Sequence, residues 1–267
     1  MPQQEQIDPM AALAPLRQQI DQIDSQLVEL LAARAKVTAE VGRVKQQHAL
    51  PLYVPERELA LIKARREQAS VAGVSEELIE DVLRRVMRES YQTQEAGFVC
   101  CRPLGGKVVV VGGGGALGRR FVSLFERSGY QVAILESGDW HQAAAIIDGA
   151  CLVLMAVPIN VTAQLVSQLP PLPVDCLLAD ITSVKQGPLQ AMLTQHPGPV
   201  LGMHPMFGPD ISNIVKQVVV VCHGRGSEHY QWLLKQFRVW GAVLTEKTAQ
   251  QHDELMQLIQ AMRHFHL

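Results

Sequence analysis

Apolar residues recur along the first part of the chain at Leu13, Leu16, Ile20, Ile23, Leu27, Leu30, Val37, Val41 and Val44. Steps of three and four alternate, which places one stripe along a single amphipathic helix. The series skips at Arg34. At 1.5 Å per residue, a helix from about Met10 to Lys45 is roughly 54 Å long. A second helix is predicted from Pro55, a residue suited to a first helical turn, to about Ser70, and a third from Ser75, a natural N-cap, to Gln94. The second covers only about 22 Å, so the long stripe has no partner of matching length in its own chain. An intertwined homodimer would bury it, with a monomeric coiled-coil-like hairpin as the alternative.

After residues 97–106, a Cys, Pro and Gly-containing linker, the period changes to short apolar runs separated by helical stretches. Lys107–Val111, Gln131–Leu135, Cys151–Ala156, Cys176–Ala179, Pro199–Gly202 and Val218–Cys222 are predicted as buried, parallel-type strands. The first four alternate with helices in βαβ fashion. The fold class is therefore an all-α three-helix domain (1–96), followed by an α/β Rossmann-type doubly wound domain (107–250). A last helix begins near residue 251.

Composition adds exclusions. The chain has 267 residues, 48% hydrophobic and 19% charged, which suits two globular domains. Lys plus Arg number 24 against 26 Asp plus Glu, a net charge of -2, so no general attraction to nucleic acid is expected. The five cysteines form no CxxC pair, which speaks against a disulfide framework and a zinc site and for a reducing cytoplasm. His264 and His266 alone do not make a metal centre. No signal peptide or membrane span is expected.

A guanidinium in an apolar seam needs compensation, and Arg34 could find it in an ion pair across the dimer, with Glu58 or Asp24 as partner. Lys45, 11 residues on, is rotated by only about 20° with its Cα roughly 16 Å away, so a small dianion would fit between the two cations. Arg57 and Glu58 open the second helix, and Ser90 and Gln94 sit side by side at i, i+4 on the third. Cations, a carboxylate, a hydroxyl and an amide could thus converge.

With Arg17 in PLRQQI, Arg34 in LLAARAKV, Lys45 in VGRVK, Arg57 and Glu58 in VPERE, and Ser90 and Gln94 in RESYQTQ, residues 10–94 resemble the all-helical chorismate mutases. The resemblance implies that Arg17, Arg34 and Arg57 grip the carboxylates of chorismate. It also implies that Lys45 and Gln94 face the ether oxygen, Glu58 the ring hydroxyl and Ser90 a carboxylate. Arg17 lies roughly 25 Å from Arg34 along one helix, so a catalytic Arg17 must come from the partner chain. As a lone residue it could equally be a solvated helix charge.

The segment KVVVVGGGGALGRRF is a strand, a Gly113-x-Gly115-x-x-Gly118 loop enclosing Ala116 and Leu117, and a helix. Glu136 ends the next strand, 18 positions after Gly118. Together these form a dinucleotide-binding fingerprint: the glycines admit a pyrophosphate to the helix N-terminus and Glu136 accepts from ribose hydroxyls, favouring NAD over NADP. A Gly-rich turn that binds nothing, with Glu136 as a surface charge, is the plainer alternative. Val157 and Pro158 leave the third strand at the same sheet edge. Ser183 and Lys185 follow the fourth, where helix capping and a solvated charge would also explain them. His204, in a Pro- and Gly-stiffened loop, is the best candidate base.

VGGGGALG, AVPI, SVK, LGMHPMFGP and IQAMRHF resemble prephenate dehydrogenase. With the first half, the chain resembles the bifunctional chorismate mutase/prephenate dehydrogenases of tyrosine biosynthesis. The resemblance implies that His204 deprotonates the ring hydroxyl of prephenate during hydride transfer to NAD. It further places Ser183 in support of His204, Lys185 near the substrate, and His264 in the pocket or in the response to tyrosine as feedback effector. Residues 251–267 correspond to the start of a helical dimerisation domain, which the sequence carries no further. A mutase joined to an NAD-binding module impaired by that truncation, or a dimerisation arm on an unrelated dehydrogenase, are the alternatives.

Overall fold

The computed structural model describes residues 9–93 and 97–264, and the side chains of residues 10–91 and 97–259. The first half is helical throughout: α1 (Pro9–Gln47), α2 (Pro55–Val71) and α3 (Glu76–Thr93). Pro55 opens α2, where its missing N–H costs no helical bond. The Ser75 hydroxyl accepts the Leu78 N–H at 3.2 Å, capping α3. With 39 residues, α1 is about 58 Å long, whereas α2 and α3 have 17 and 18. Much of its apolar stripe is consequently uncovered within one chain: Ile23 and Leu30 are 62% and 68% exposed.

The second half runs β1 (Lys107–Val111), α4 (Ala116–Arg127), β2 (Gln131–Leu135), α5 (Ala143–Ile147), β3 (Ala150–Met155), α6 (Ile159–Ser167), β4 (Leu177–Asp180), α7 (Gln186–Gln195), β5 (Val200–Pro205), β6 (Val218–Arg225), α8 (Gln231–Val239), β7 (Val243–Glu246) and α9 (Ala249–His264). The seven strands form one sheet in the order β2-β1-β3-β4-β5-β6-β7. Alternation along the strands divides the core between its two faces. Val108 and Val110 pack with Phe121, Phe125 and Phe237 of α4 and α8 on one side, while Val109 and Val111 pack with Ile147, Val166 and Met192 of α5, α6 and α7 on the other. This is the doubly wound arrangement expected.

Three expectations need correction. β6 is antiparallel to β5, not parallel, because a loop rather than a crossover helix joins them. β5 continues past Gly202 to Pro205 because β6 pairs with it that far, His204 lying opposite Val220, so His204 stands on a strand and not in a loop. β7 was not anticipated; it pairs parallel to β6, and its half-exposed pattern lacks the continuous apolar run of the inner strands. The linker is also not free: the buried Gln236 accepts the Cys101 N–H at 2.9 Å and donates to the Val99 carbonyl at 3.2 Å. Among the described residues, no helix is long and apolar enough to cross a membrane.

Candidate active sites

In the helical half, residues from all three helices line one cavity of about 450 Å³, among them Arg34, Lys45, Arg57, Glu58, Ser90 and Tyr91. Five of the seven polar positions singled out in the sequence thus meet. Within the chain, Arg34 Nη1 donates to Ser90 Oγ at 2.8 Å. A neutral partner leaves the guanidinium charge available to an anion. Lys45 Nζ donates to the Leu52 carbonyl at 2.7 Å, and burial lowers its pKa. Arg17 is exposed on α1 and does not line this cavity. Gln94 lies outside the described residues.

Glu58 is only 6% exposed. Tyr91 OH donates to its Oε2 at 3.1 Å, and Lys216 Nζ, from the α/β half, donates to its Oε1 at 2.5 Å. Burial and the neighbouring carboxylate push the Tyr91 phenol upward, so it remains a donor. Neither Tyr91 nor Lys216 stood out in the sequence. Tyr91 adjoins Ser90 on the same helix and could have been found by its neighbour; Lys216 is 158 positions from its partner, and no local pattern marks it.

At the carboxyl edge of the sheet, Gly112 turns the chain out of β1 with φ +78°, and Gly115 is the N-cap of α4. A Cβ on Gly118 would lie 2.3 Å from the Gly112 carbonyl oxygen, so only glycine lets α4 pack this close to the loop. Glu136 accepts the Gly114 N–H at 2.6 Å, which ties the acidic strand end to the glycine loop. Gly112, Gly115, Glu136, Trp140, Val157 and Pro158 line a cavity of about 300 Å³. A cradle without room for a Cβ, a helix N-terminus and a carboxylate at the second strand end fit NAD. Trp140 is an addition that spacing did not reveal.

β4 and β5 are parallel neighbours with Asp180 opposite Gly202, so His204, two residues further on, projects past the same edge. Its Nδ1 lies 2.8 Å from His252 Nε2, and His252 Nδ1 lies 2.7 Å from Asp253 Oδ1. Burial raises the Asp253 pKa, but the N–H groups of Gln186, His252 and Lys185 outweigh it and hold the carboxyl below the usual range. An ionised carboxylate only accepts, so His252 Nδ1 donates, its Nε2 accepts from His204 Nδ1–H, and His204 Nε2 keeps a free lone pair. Burial, then His252 and Lys185, hold the His204 pKa down at about 4. The imidazole is therefore neutral at pH 7, the form a general base needs.

Lys185 is neither a pocket residue nor a solvated charge. It is fully buried, with Nζ donating to Asp180 Oδ2 at 2.5 Å and to the Met203 carbonyl at 2.6 Å. Burial pushes the lysine down and the aspartate up, against their mutual attraction. Lys185 thus ties β4 to β5 beneath His204. Ser183 is exposed in the loop after β4, and the hydrogen-bond support of His204 comes from His252. The side chain of His264 lies outside the described residues.

Residues 16–95 match the family model for chorismate mutase type II, and residues 133–240 the model for the nucleotide-binding domain of prephenate dehydrogenase. The chain is 52% identical to the T-protein of Enterobacter agglomerans over 257 residues, covering 96% of this chain and 69% of that one. It is 49% identical to the T-protein of Haemophilus influenzae over 258 residues, covering 96% and 68%. The crystal structure of prephenate dehydrogenase from A. aeolicus with hydroxyphenyl propionate and NAD+ superposes with a TM-score of 0.50 at 16% identity, covering 56% of this chain and 62% of that one. The superposition bears on the fold alone.

Proposed function

The chain belongs to the T-protein family, and from that membership we propose how its residues divide two reactions between two sites. It is a bifunctional chorismate mutase/prephenate dehydrogenase of tyrosine biosynthesis, using NAD. The observation that carries the assignment of the first site is the convergence of Arg34, Lys45, Arg57, Glu58 and Ser90 on one cavity.

Rearrangement of chorismate to prephenate is unimolecular and needs no nucleophile or base. The site has to hold a compact conformer and place positive charge where the breaking C–O bond becomes electron-rich. Arg34 and Arg57 suit fixed carboxylates, and Lys45 suits the ether oxygen as a point charge, a role the family resemblance shares with Gln94. Glu58 takes the ring hydroxyl. Arg17 completes the site from a second copy. The uncovered stripe of α1 supports that dimer, since pairing two such helices would remove large apolar side chains from water.

In the α/β half, Gly113, Gly115, Ala116, Leu117 and Gly118 would hold the pyrophosphate of NAD, Glu136 the ribose, and Val157 and Pro158 the nicotinamide side. Bound NAD supplies the hydride acceptor, and loss of carbon dioxide from prephenate then restores an aromatic ring, giving 4-hydroxyphenylpyruvate. His204 takes the proton of the ring hydroxyl at Nε2, while His252 and Asp253 keep its Nδ1 protonated. Ser183, expected to support His204, is exposed at the same edge, and His252 takes that part.

Residues 1–96 form the mutase domain, 97–106 its docked connection and 107–250 the nucleotide-binding domain; residues from 251 begin a helical unit whose first turns serve the His204 site. Tyrosine is the proposed feedback effector, with His264 its candidate residue. Free cysteines and small charged substrates support a cytoplasmic enzyme. The test is a pair of variants: Arg34→Ala abolishes loss of chorismate while leaving NADH formation from prephenate, and His204→Asn does the reverse. NAD binding without NADH formation in the parent would instead make the second half a binding module.

A further inference from the structure

Lys216 belongs to the α/β half by sequence but points its ammonium into the helical half. Its backbone has φ +65°, a left-handed conformation uncommon for a residue with a side chain. The surrounding turn enforces it: the Lys216 N–H donates to the Gly241 carbonyl at 2.9 Å and the Gln217 N–H to Ile214 at 3.0 Å, while Ile214 and Val215 are buried. Gly241, at φ +94°, has no space for a Cβ, which would lie 2.9 Å from Val215 Cγ2. The turn thus over-determines the conformation that sends this side chain toward the helical half.

The ammonium is met by a built receptor. Glu58 Oε1 lies 2.5 Å from Nζ, and the Tyr53 and Tyr91 ring centroids lie 5.2 Å and 5.6 Å from it. These rings pack edge to face with centroids 6.1 Å apart, forming two walls of a cation cage. Arg84 stands further off, 3.7 Å from the same carboxylate oxygen. Tyr91 lines the mutase cavity and also a second cavity of about 390 Å³ between the two halves, which Lys216 lines as well. The Lys216–Glu58 contact therefore sits at the wall between the mutase site and the nucleotide-binding half.

We propose that Lys216 is a positioning residue of the chorismate mutase, contributed by the dehydrogenase half, which holds the Glu58 carboxylate in the orientation that receives the substrate's ring hydroxyl. The proposal rests on the assignment of Glu58 to that hydroxyl. A buried carboxylate with one oxygen on Tyr91 and the other on Lys216 has a defined rotamer; without the lysine, Oε1 keeps only the more distant Arg84, at 3.7 Å, and is less compensated. Mutase activity thereby depends on the correct docking of the second domain, although, among the described residues, none of that domain lines the mutase cavity.

The experiment uses the full chain and a double-mutant cycle of Glu58→Gln with Lys216→Met, together with Lys216→Arg. Mutase kcat and KM, NADH formation from prephenate and thermal unfolding are measured for each. Lys216→Met is expected to lower mutase kcat about tenfold with a smaller change in KM, and to cost almost nothing further in the Glu58→Gln background, as contacting residues couple. Lys216→Arg restores part of the loss, and NADH formation is unchanged throughout. If Glu58→Gln is impaired but Lys216→Met keeps kcat within about twofold, or costs the same in both backgrounds, the positioning role is overturned while the Glu58 assignment stands. A fully active Glu58→Gln overturns the assignment itself.

Discussion

The strongest test of the dehydrogenase site is Asp253→Asn. Asp253 touches neither of the groups proposed to react, but it sets the direction of the hydrogen bonds running through His252 to His204. When the Asn oxygen accepts the Gln186 N–H, its NH2 takes the Oδ1 place and faces His252 Nδ1. Reversal makes His252 Nε2 the donor to His204 Nδ1 and leaves the His204 proton on Nε2, where the base lone pair is required. General-base catalysis contributes about 10²- to 10⁴-fold, so kcat should fall by about that factor, roughly 2.7–5.5 kcal/mol in the barrier. The same carboxylate also accepts the Lys185 and Gln186 N–H groups at 2.8 Å and 2.9 Å, capping α7. Asn retains one acceptor, so the stability loss should be only about 1 kcal/mol.

The assay is steady-state NADH formation from prephenate between pH 5 and 8, with NAD affinity and thermal unfolding as controls. pH separates a tautomer effect from a pKa effect. With His204 held at about 4, the parent base is neutral throughout that range, and the acid limb of kcat/KM should fall near 4 and not near the ordinary 6.5. Asp253 raises the His204 pKa, so its neutralisation lowers that pKa further and cannot itself create a loss above pH 5. A tautomer defect therefore persists, equally deep, at every pH from 5 to 8. A kcat within about threefold of the parent, or a loss that disappears as pH rises, would refute the relay.

Two other outcomes follow from the geometry. Gly118→Ala places a Cβ 2.3 Å from the Gly112 carbonyl oxygen, a backbone atom with no freedom to retreat; titration calorimetry should show lost NAD binding, with unfolding earlier by about 1–3 kcal/mol and mutase activity retained. Arg17→Ala and Arg34→Ala proteins, each inactive as mutases, should regain activity when mixed and allowed to exchange, because one of the two sites in every heterodimer is intact. No recovery would place Arg17 outside the shared site.

Several features were legible because their cause is local. The glycine loop is readable because backbone approach to a phosphate and close packing of a helix demand glycine at fixed offsets. The cations of the helical cavity are readable because helical geometry converts their spacing into a common face and a distance. The long stripe of α1 and the shorter helices beside it are likewise set by period and length. Lys185 shows the limit. Its place after β4 puts it at the cofactor edge and the family resemblance sets it near the substrate, but the side chain turns inward, where Asp180 and the Met203 carbonyl hold its ammonium.

The sequence by itself determined the two-part architecture, the cofactor fingerprint and the cations that meet in the helical cavity, since each follows from periodicity or spacing within a single element. Only the tertiary structure decided that His204 rests on His252 and Asp253, and that Glu58 is held by Tyr91 and by Lys216 across the domain boundary. Those pairings join residues 48 and 158 positions apart. Burial and hydrogen-bond compensation select them in three dimensions, and no sequence period carries that information.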